Sequence, residues 1–341
     1  MYLRFAAVPY DENKIFAKRL ARMLCAMTSD NNKDPWMEAM RRGDFATAWK
    51  ISDALLPLAR AQDHRVVPRY LQNVWDGTPL EGKRVLVRCY HGLGDTIQFI
   101  RYAALLKHVA ERVVVWVQPS LIPLLSGVAG IDELLPLHDG VPEVEYDVDV
   151  ELNELPYVFR ATLANVPAEV PYIYVEPARL AWTAGKIRVG LIWQSGEWDA
   201  SRSIPFPLLQ PLAQFSDIQW HILQRNAVEA VWDAEFGVIS GGDNPLDDAR
   251  VMRALDLVIS VDTMTAHLAG ALGCKTWTLL PVEADWRWMR DREDSPWYPT
   301  MRLFRQKTCK NWKEVIAEVA LELTKVTARD RRQFAAARQD L

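Results

Sequence analysis

A carboxylate that could act as a base lies in the stretch HGLGD, residues 91–95, which ends at Asp95. The apolar run before it, residues 84–90, predicts a strand, and the pattern after it predicts a helix. Gly92 and Gly94 allow a tight turn between the two and leave room for a ligand. Asp95 therefore either caps the helix or lies at the carboxyl end of a strand, where open α/β sheets place their chemistry.

A second stretch, ALDLVISVDTMTAHLAGALG at residues 254–273, could bind an anion. Residues 255–261 predict a buried strand, and the small residues from Met264 to Leu272 predict a helix. A helix that begins at the carboxyl end of a parallel strand presents unpaired N–H groups and the positive end of its dipole, which suits phosphate. Taken alone, the turn at Asp262 and Thr263 favours simple capping over a nucleotide site.

The remaining apolar runs predict the sheets that must position these two turns. Strands are predicted at residues 84–90 and 112–118, from the run at 130–135, and at 147–150 in the first half, and at 187–194, 218–223, 255–261 and 275–280 in the second. The helices between them, including one from Asp95 to Val109 and one from Phe206 to Phe215, predict parallel sheets. Residues 311–325 predict a terminal helix, followed by a charged tail from Arg329 to Arg332. Residues 153–185 are rich in proline and are the predicted domain boundary. The sequence thus predicts two α/β halves facing across a cleft.

The N-terminal region, residues 1–75, predicts helices instead. They are expected at residues 15–27, from Asp34-Pro35 to Arg41, and from Phe45 to Leu58. The last two resemble one tetratricopeptide-type pair, but a single pair cannot stack as an array. An extension that packs on the next domain or on a second subunit is therefore favoured. The predicted domains follow as residues 76–170 and 186–325, with a C-terminal helix and tail at 326–341.

Composition limits the classes of function. A chain of 341 residues with 50% hydrophobic residues is expected to form about two domains. The net charge of −4 argues against a nucleic-acid partner. The four cysteines lack metal-ligand spacing, and no apolar run has the length of a signal core or a membrane span. A cytoplasmic protein is predicted, with the inner face of the membrane as an alternative location.

Four motifs in one order resemble the family 9 glycosyltransferases, relatives of the ADP-heptose:lipopolysaccharide heptosyltransferases, and in particular the branch often fused to tetratricopeptide repeats. They are HGLGDTIQFIRYAALLK, RSIP, LDLVISVDTMTAHLAGALG and DWRWMRDREDSPWYPTMRLFRQ, within residues 75–322. The resemblance implies a GT-B fold, in which two Rossmann-like domains face each other across a cleft. It also implies an acceptor on the first domain, a nucleotide-sugar on the second, and inverting transfer without a metal or other cofactor.

The resemblance also implies roles for single residues. Asp95 matches the general base, which takes the proton of the attacking hydroxyl. Arg202 stands where heptosyltransferases carry a lysine and would neutralise the departing diphosphate. The implied diphosphate-binding turn comprises Thr263, Met264, Thr265 and His267, with Asp262 orienting it. Looser matches implied to contact the nucleoside or the sugar are Gln224, Gly92, Gly94, Glu283, Asp285 and Trp286.

The leading hypothesis is therefore a glycosyltransferase that uses a nucleotide-diphosphate sugar and a glycan, lipid-linked or protein acceptor. A non-catalytic scaffold that acts through its helical N-terminus is the alternative, and a GT-B epimerase is a third option that shares the fold but not these motifs. Assembly into a homo-oligomer stays open, as do the donor base, the sugar and the acceptor.

Overall fold

We analysed a computed structural model of the chain. It describes residues 34–60, 68–181, 183–196, 199–227, 236–242 and 244–339. The helix predicted at residues 15–27 lies outside these ranges.

Two helices come first among the described residues, α1 (Pro35–Arg41) and α2 (Phe45–Arg60). Asp34 caps α1, because its Oδ1 accepts a hydrogen bond of 2.9 Å from the backbone N–H of Trp36. Both helices begin where the sequence predicts, and α2 continues two residues past its predicted end. The pair packs on the rest of the same chain. The Trp49 indole, for example, donates to the carbonyl of Ala161 at 2.7 Å.

A first sheet contains four parallel strands in the order β3-β2-β1-β4. Valine and leucine in β1 and β2 are buried on both faces, as expected for strands in a parallel sheet. We call this sheet and its helices the first lobe. Its strands are β1 (Arg84–Arg88), β2 (Arg112–Val117), β3 (Glu133–Pro136) and β4 (Val148–Glu151), and its helices are α3 (Leu93–Phe99), α4 (Tyr102–Val109), α5 (Ile122–Leu125) and α6 (Leu155–Val158).

A second sheet contains six parallel strands in the order β10-β9-β8-β5-β6-β7. We call it and its helices the second lobe. The strands are β5 (Ile187–Ile192), β6 (Ile218–Ile222), β7 (Val238–Ile239), β8 (Leu257–Val261), β9 (Thr276–Leu280) and β10 (Met301–Arg305), and the helices are α7 (Pro245–Arg253), α8 (Met264–Ala271) and α9 (Trp312–Gln339). The sequence analysis missed β7 and β10. The domain limits predicted above stay predictions.

Three predicted helices differ from the structure. Residues 206–214 form a 3₁₀ helix instead of an α-helix, since Pro211 within the helix has no N–H to donate to the preceding turn. The helix expected from Asp95 to Val109 breaks between α3 and α4. There the Tyr172 hydroxyl donates a hydrogen bond to the carbonyl of residue 97, and the Arg101 guanidinium donates one to the carbonyl of residue 98. The terminal helix α9 continues through the predicted charged tail to Gln339.

The two lobes are packed directly against each other. Helix α3 lies against α8, and the Phe99 ring stacks on Trp286 with 6.1 Å between centroids. A single cluster of buried apolar side chains extends from the first sheet across this contact to Trp288 and Trp297. Within the described ranges, no helix is long and apolar enough to cross a membrane.

Candidate functional site

The site lies where the N-terminal ends of α3 and α8 meet. Gly94 makes this approach possible, because a Cβ atom there would lie 3.0 Å from Cδ2 of His267 and 3.3 Å from Cα of Met264. The turn after β1 and the turn after β8, predicted separately from the sequence, are therefore neighbours. Both lie at the carboxyl ends of parallel strands, where α/β folds bind ligands.

Asp95 stands at the third position of α3 and faces the second lobe. Its Oδ2 accepts a hydrogen bond of 2.9 Å from the backbone N–H of Gly92, which is the N-cap of the helix. Its Oδ1 forms an ion pair with the guanidinium of Arg287, from the second lobe. Asp95 is thus both part of the helix start and directed into the contact between the lobes.

Arg287 is the residue that the sequence analysis missed. It lies in a 3₁₀ turn, Trp286–Trp288, whose N-cap is Asp285. Oδ1 of Asp285 accepts from the Arg287 backbone N–H at 3.0 Å and from its guanidinium at 2.8 Å. Burial alone would lower the pKa of Arg287, but the carboxylates of Asp285 and Asp95 outweigh burial and raise it. Arg287 is therefore a permanent buried cation beside Asp95.

The start of α8 carries no side-chain cap. Thr263 is the N-cap residue in extended conformation, but its side chain makes no capping hydrogen bond. Simple capping by Asp262 and Thr263 is therefore not what this turn does. Thr263 and Met264 are partly exposed at the helix start, and Thr265 is buried. The N-terminus of α8 therefore keeps the unpaired N–H groups and the positive dipole end that suit an anion.

Asp262 lies buried beneath this helix start. Its Oδ2 is 3.7 Å from Nη1 of Arg202 and has no hydrogen-bond partner among the described residues. Its Oδ1 is 4.0 Å from Nε2 of His267. Burial, reinforced by the negative charge of Asp285, raises the pKa of Asp262 to about 6, although Arg202 opposes the shift. A carboxyl group with a pKa of about 6 therefore lies beside the two candidate phosphate ligands, Arg202 and the α8 turn.

His267 is held as a neutral ring. Its Nδ1 lies 3.1 Å from the Tyr298 hydroxyl, and the ring stacks on Trp288 at 5.1 Å between centroids. Burial, and then the positive charges of Arg287 and Arg101, lower the pKa of His267 well below its ordinary value. These contacts orient the first turn of α8 and leave His267 uncharged.

His91, which had no predicted role, is the first residue of the turn between the strand run of β1 and helix α3. The Nδ1 of His91 lies 3.0 Å from Oε1 of Glu151, at the end of β4. Burial would lower the pKa of His91, but the hydrogen bond and the charge of Glu151 raise it overall. Neither the spacing nor the residue types linked His91 to Glu151, which lies 60 residues further along the chain.

The looser predicted contacts make protein contacts. Gln224 accepts hydrogen bonds from the backbone N–H groups of Trp193 and Gln194, at 3.1 and 2.9 Å, and so fixes the chain after β5. Glu283 is largely exposed, 3.7 Å from Arg41. Trp286 packs in a cluster of aromatic rings from both lobes and α1. Of the six looser matches, Gly92, Gly94 and Asp285 lie at the site.

Asp262→Asn tests the charge state of this buried carboxyl group. Because the folded pKa of about 6 exceeds the ordinary 3.8, the ionised form costs stability above pH 6, and the cost disappears as the pH falls toward 4. We expect the variant to be more stable at pH 8 by about 3 kcal/mol, the rise in pKa converted at about 1.4 kcal/mol per unit, and the gain to vanish near pH 4. Urea unfolding at both pH values measures this.

Asp256→Asn is the matched control, since it removes a carboxylate near the opposite end of β8. Burial raises the pKa of Asp256, but hydrogen bonds from Arg188 lower it overall. This control should lose stability at pH 8, with a smaller loss in acid. If Asp262→Asn also lost stability at pH 8, Asp262 would act mainly as the ion-pair partner of Arg202.

Comparison with known proteins gives relatives of two kinds. No protein-family model matches the sequence. Protein FlbA of Caulobacter vibrioides is 26% identical over 292 residues, which are 73% of this chain and 48% of that protein. The chain thus spans about half the length of this curated relative.

Three solved structures match at a TM-score of 0.51 each. ADP-heptose lipopolysaccharide heptosyltransferase II of E. coli is 13% identical, with 73% of this chain and 99% of that chain covered. A family 9 glycosyltransferase of Veillonella parvula is 11% identical, with 67% of this chain and 87% of that chain covered. TibC of enterotoxigenic E. coli, an iron-containing dodecameric glycosyltransferase, is 12% identical, with coverage of 75% and 78%. At these identities the likeness establishes the fold: the chain has the two-domain α/β architecture of GT-B glycosyltransferases.

Proposed function

We propose that this protein is an inverting glycosyltransferase that moves a sugar from a nucleotide-diphosphate donor to a hydroxyl group. The observation that carries the proposal is the meeting of Asp95 with the uncapped start of α8. A carboxylate from one lobe there faces an anion-binding helix end, the buried guanidinium of Arg287 and the half-buried guanidinium of Arg202 from the other. Inverting transfer needs these two kinds of group on opposite sides of an anomeric carbon.

The proposed reaction uses Asp95 as the general base. The acceptor oxygen attacks the anomeric carbon from the face opposite the diphosphate, and its proton passes to the Asp95 carboxylate. The bond between the anomeric carbon and the phosphate oxygen breaks, and its electron pair leaves with the nucleoside diphosphate. Arg202, the N–H groups of α8 and the hydroxyls of Thr263 and Thr265 stabilise that charge. The transfer needs neither a metal nor another cofactor.

Donor and acceptor are proposed by class. The E. coli relative is an ADP-heptose enzyme, so an ADP-sugar is the first donor to test. The acceptor is a glycan, a lipid-linked saccharide or a protein, met in the cytoplasm or at the inner face of the membrane. TibC is dodecameric, and we extend the proposal to a homo-oligomer. We also propose that the chain belongs to the family 9 branch that is often fused to tetratricopeptide repeats.

Nucleotide binding tests the proposed function directly. We expect ADP, UDP or GDP, alone or as the sugar, to raise the melting temperature. One donor should then add the mass of its sugar to an acceptor, as seen by mass spectrometry. If no nucleotide shifts the melting temperature at millimolar concentration, the non-catalytic scaffold becomes the better account.

Arg202→Ala should weaken binding of the nucleoside diphosphate by about 10- to 100-fold, because it removes a hydrogen bond between charged groups. Isothermal calorimetry measures the change. Arg250→Ala is the control, since Arg250 is exposed on α7 and pairs with Asp247. Equal affinities for wild type and Arg202→Ala would remove Arg202 from the phosphate site.

A further inference from the structure

Arg287 joins carboxylates from the two lobes at the centre of the site. One guanidinium nitrogen is paired with Asp95 of the first lobe, and another lies 2.8 Å from Asp285 of the second. Only 12% of the Arg287 side chain is exposed. Asp95 is therefore held by a buried cation in this structure, and a carboxylate in such a pair is poorly placed to take a proton from an acceptor.

We propose that Arg287 is a binding residue for the donor diphosphate, and that the diphosphate takes the place of Asp95 on the guanidinium and thereby frees Asp95. The inference rests on the proposed function and deepens it. It assigns a second arginine to the leaving group and makes activation of the base depend on the donor.

Unpaired buried atoms around the α8 turn support this assignment. Nε of Arg287 and Nε of Arg202 are both buried, and neither has a hydrogen-bond partner among the described residues. Nε of Arg202 is 3.7 Å from Asp199, beyond hydrogen-bond distance. Buried polar atoms of a native protein are nearly always paired, so a cluster of unpaired ones indicates a missing polar ligand. Two N–H donors in this cluster suit an acceptor such as phosphate.

The surroundings of Arg287 leave its terminal group able to exchange partners. The backbone is fixed, because its N–H donates to Asp285 at 3.0 Å and its carbonyl accepts from the Trp297 indole at 2.9 Å. The guanidinium carbon lies 5.3 Å from the centre of the Phe99 ring and 5.1 Å from that of Trp286. Aromatic faces hold a guanidinium without using its N–H groups, so these groups stay available to an anion.

The charges of the site make the exchange competitive. Asp95 and the diphosphate both accept hydrogen bonds from the same guanidinium, and a planar fork can serve either in a bidentate manner. A phosphate that bridges the unpaired Nε and the guanidinium nitrogen paired with Asp95 takes the place of Asp95. The consequence is an ordered reaction, in which the donor binds first and the acceptor hydroxyl is deprotonated afterwards.

A double-mutant cycle on nucleotide binding tests the exchange. Calorimetry would titrate ADP, UDP and GDP into the full chain as wild type, Asp95→Asn, Arg287→Gln and the double variant. Asp95→Asn should bind the nucleoside diphosphate about tenfold more tightly, because it releases Arg287 from a charged competitor. Arg287→Gln should bind it about 10- to 100-fold more weakly, and in that background Asp95→Asn should bring no gain.

Two further variants serve as controls for the cycle. Arg287→Lys keeps the charge and the apolar stem, so it should fold where Arg287→Gln fails and should bind with intermediate affinity. Arg292→Gln, on the same loop but paired with Asp294, is the control and should bind as wild type does.

The outcomes separate this inference from the proposed function. If wild type binds no nucleotide, the proposed function fails and the exchange fails with it. If wild type binds but Asp95→Asn has unchanged affinity, the exchange alone is wrong. A purely structural role for Arg287 would lower the melting temperature of its variants without making the effect of Asp95→Asn depend on Arg287.

Discussion

Asp95→Asn is expected to lower kcat for sugar transfer by about 10²- to 10⁴-fold, the usual contribution of a general base. Asparagine has the shape of aspartate but cannot take a proton at neutral pH. Its side-chain oxygen can still accept the hydrogen bond from Gly92, so the start of α3 should keep its geometry. Product formation measured by mass spectrometry, with the matching donor and acceptor, gives the loss.

The control for this prediction removes a different carboxylate of the first lobe. Asp147→Asn breaks the exposed ion pair with Arg84. Arg84 is the first residue of β1, so this pair lies at the opposite end of the strand from the site. The turnover of this variant should equal that of wild type. If Asp95→Asn kept most of its turnover while binding nucleotide, another group would have to take the proton. His91, held by Glu151 at the same end of the sheet, would then be the first to examine.

The sequence was sufficient for the two sheets and for the two turns of the site. The runs of valine, leucine and isoleucine in β1, β2, β5 and β8 are long, are bounded by glycine or charged residues, and leave little choice of structure. Asp95 and Thr263 could be singled out because each lies shortly after such a run, where the next helix begins. A local pattern therefore fixed both the strand and the position of the polar residue at its end.

The partners of these residues could not be predicted in this way. Arg287 reaches Asp95 across 192 residues, and no periodicity links them. Asp262 was expected to orient the α8 turn, but its burial and its contact with Arg202 depend on how the two loops pack. The motif alone suggested that Trp286 faces the sugar or the base, and it could not show the neighbours Trp36 and Phe99, which come from two other parts of the chain. Such contacts are set by tertiary packing.

The N-terminal helices show the same limit. The N-cap of α1, Asp34, and the starts of both helices follow from the sequence, because capping is a local interaction. The surface on which they pack does not. The ring centroids of Trp36 and Trp286 lie 5.5 Å apart, and Nη1 of Arg290 lies 2.6 Å from Oε1 of Glu38. The helices therefore support the loop that carries Arg287, a role that no pattern within residues 34–60 could indicate.

Arg101→Met is expected to have the largest effect on stability, because Arg101 ties the lobes together. Its guanidinium donates to the carbonyls of Gln98, Pro167 and Trp297, at 2.8, 2.9 and 2.5 Å. Methionine fills similar space but leaves these carbonyls unpaired, and each unpaired carbonyl costs about 1–3 kcal/mol. The described contacts of Arg101 include no carboxylate, so removing its buried charge offsets part of this cost.

The net loss in the free energy of unfolding should be about 3 kcal/mol, measured by urea unfolding with tryptophan fluorescence. Arg112→Met, which breaks an exposed pair with Glu133, should change it by less than about 1 kcal/mol. Arg101→Lys should recover only part of the loss, since one ammonium group cannot reach three carbonyls with the geometry of a guanidinium. Equal midpoints for wild type and Arg101→Met would mean that apolar packing between α3 and α8 holds the lobes together without Arg101.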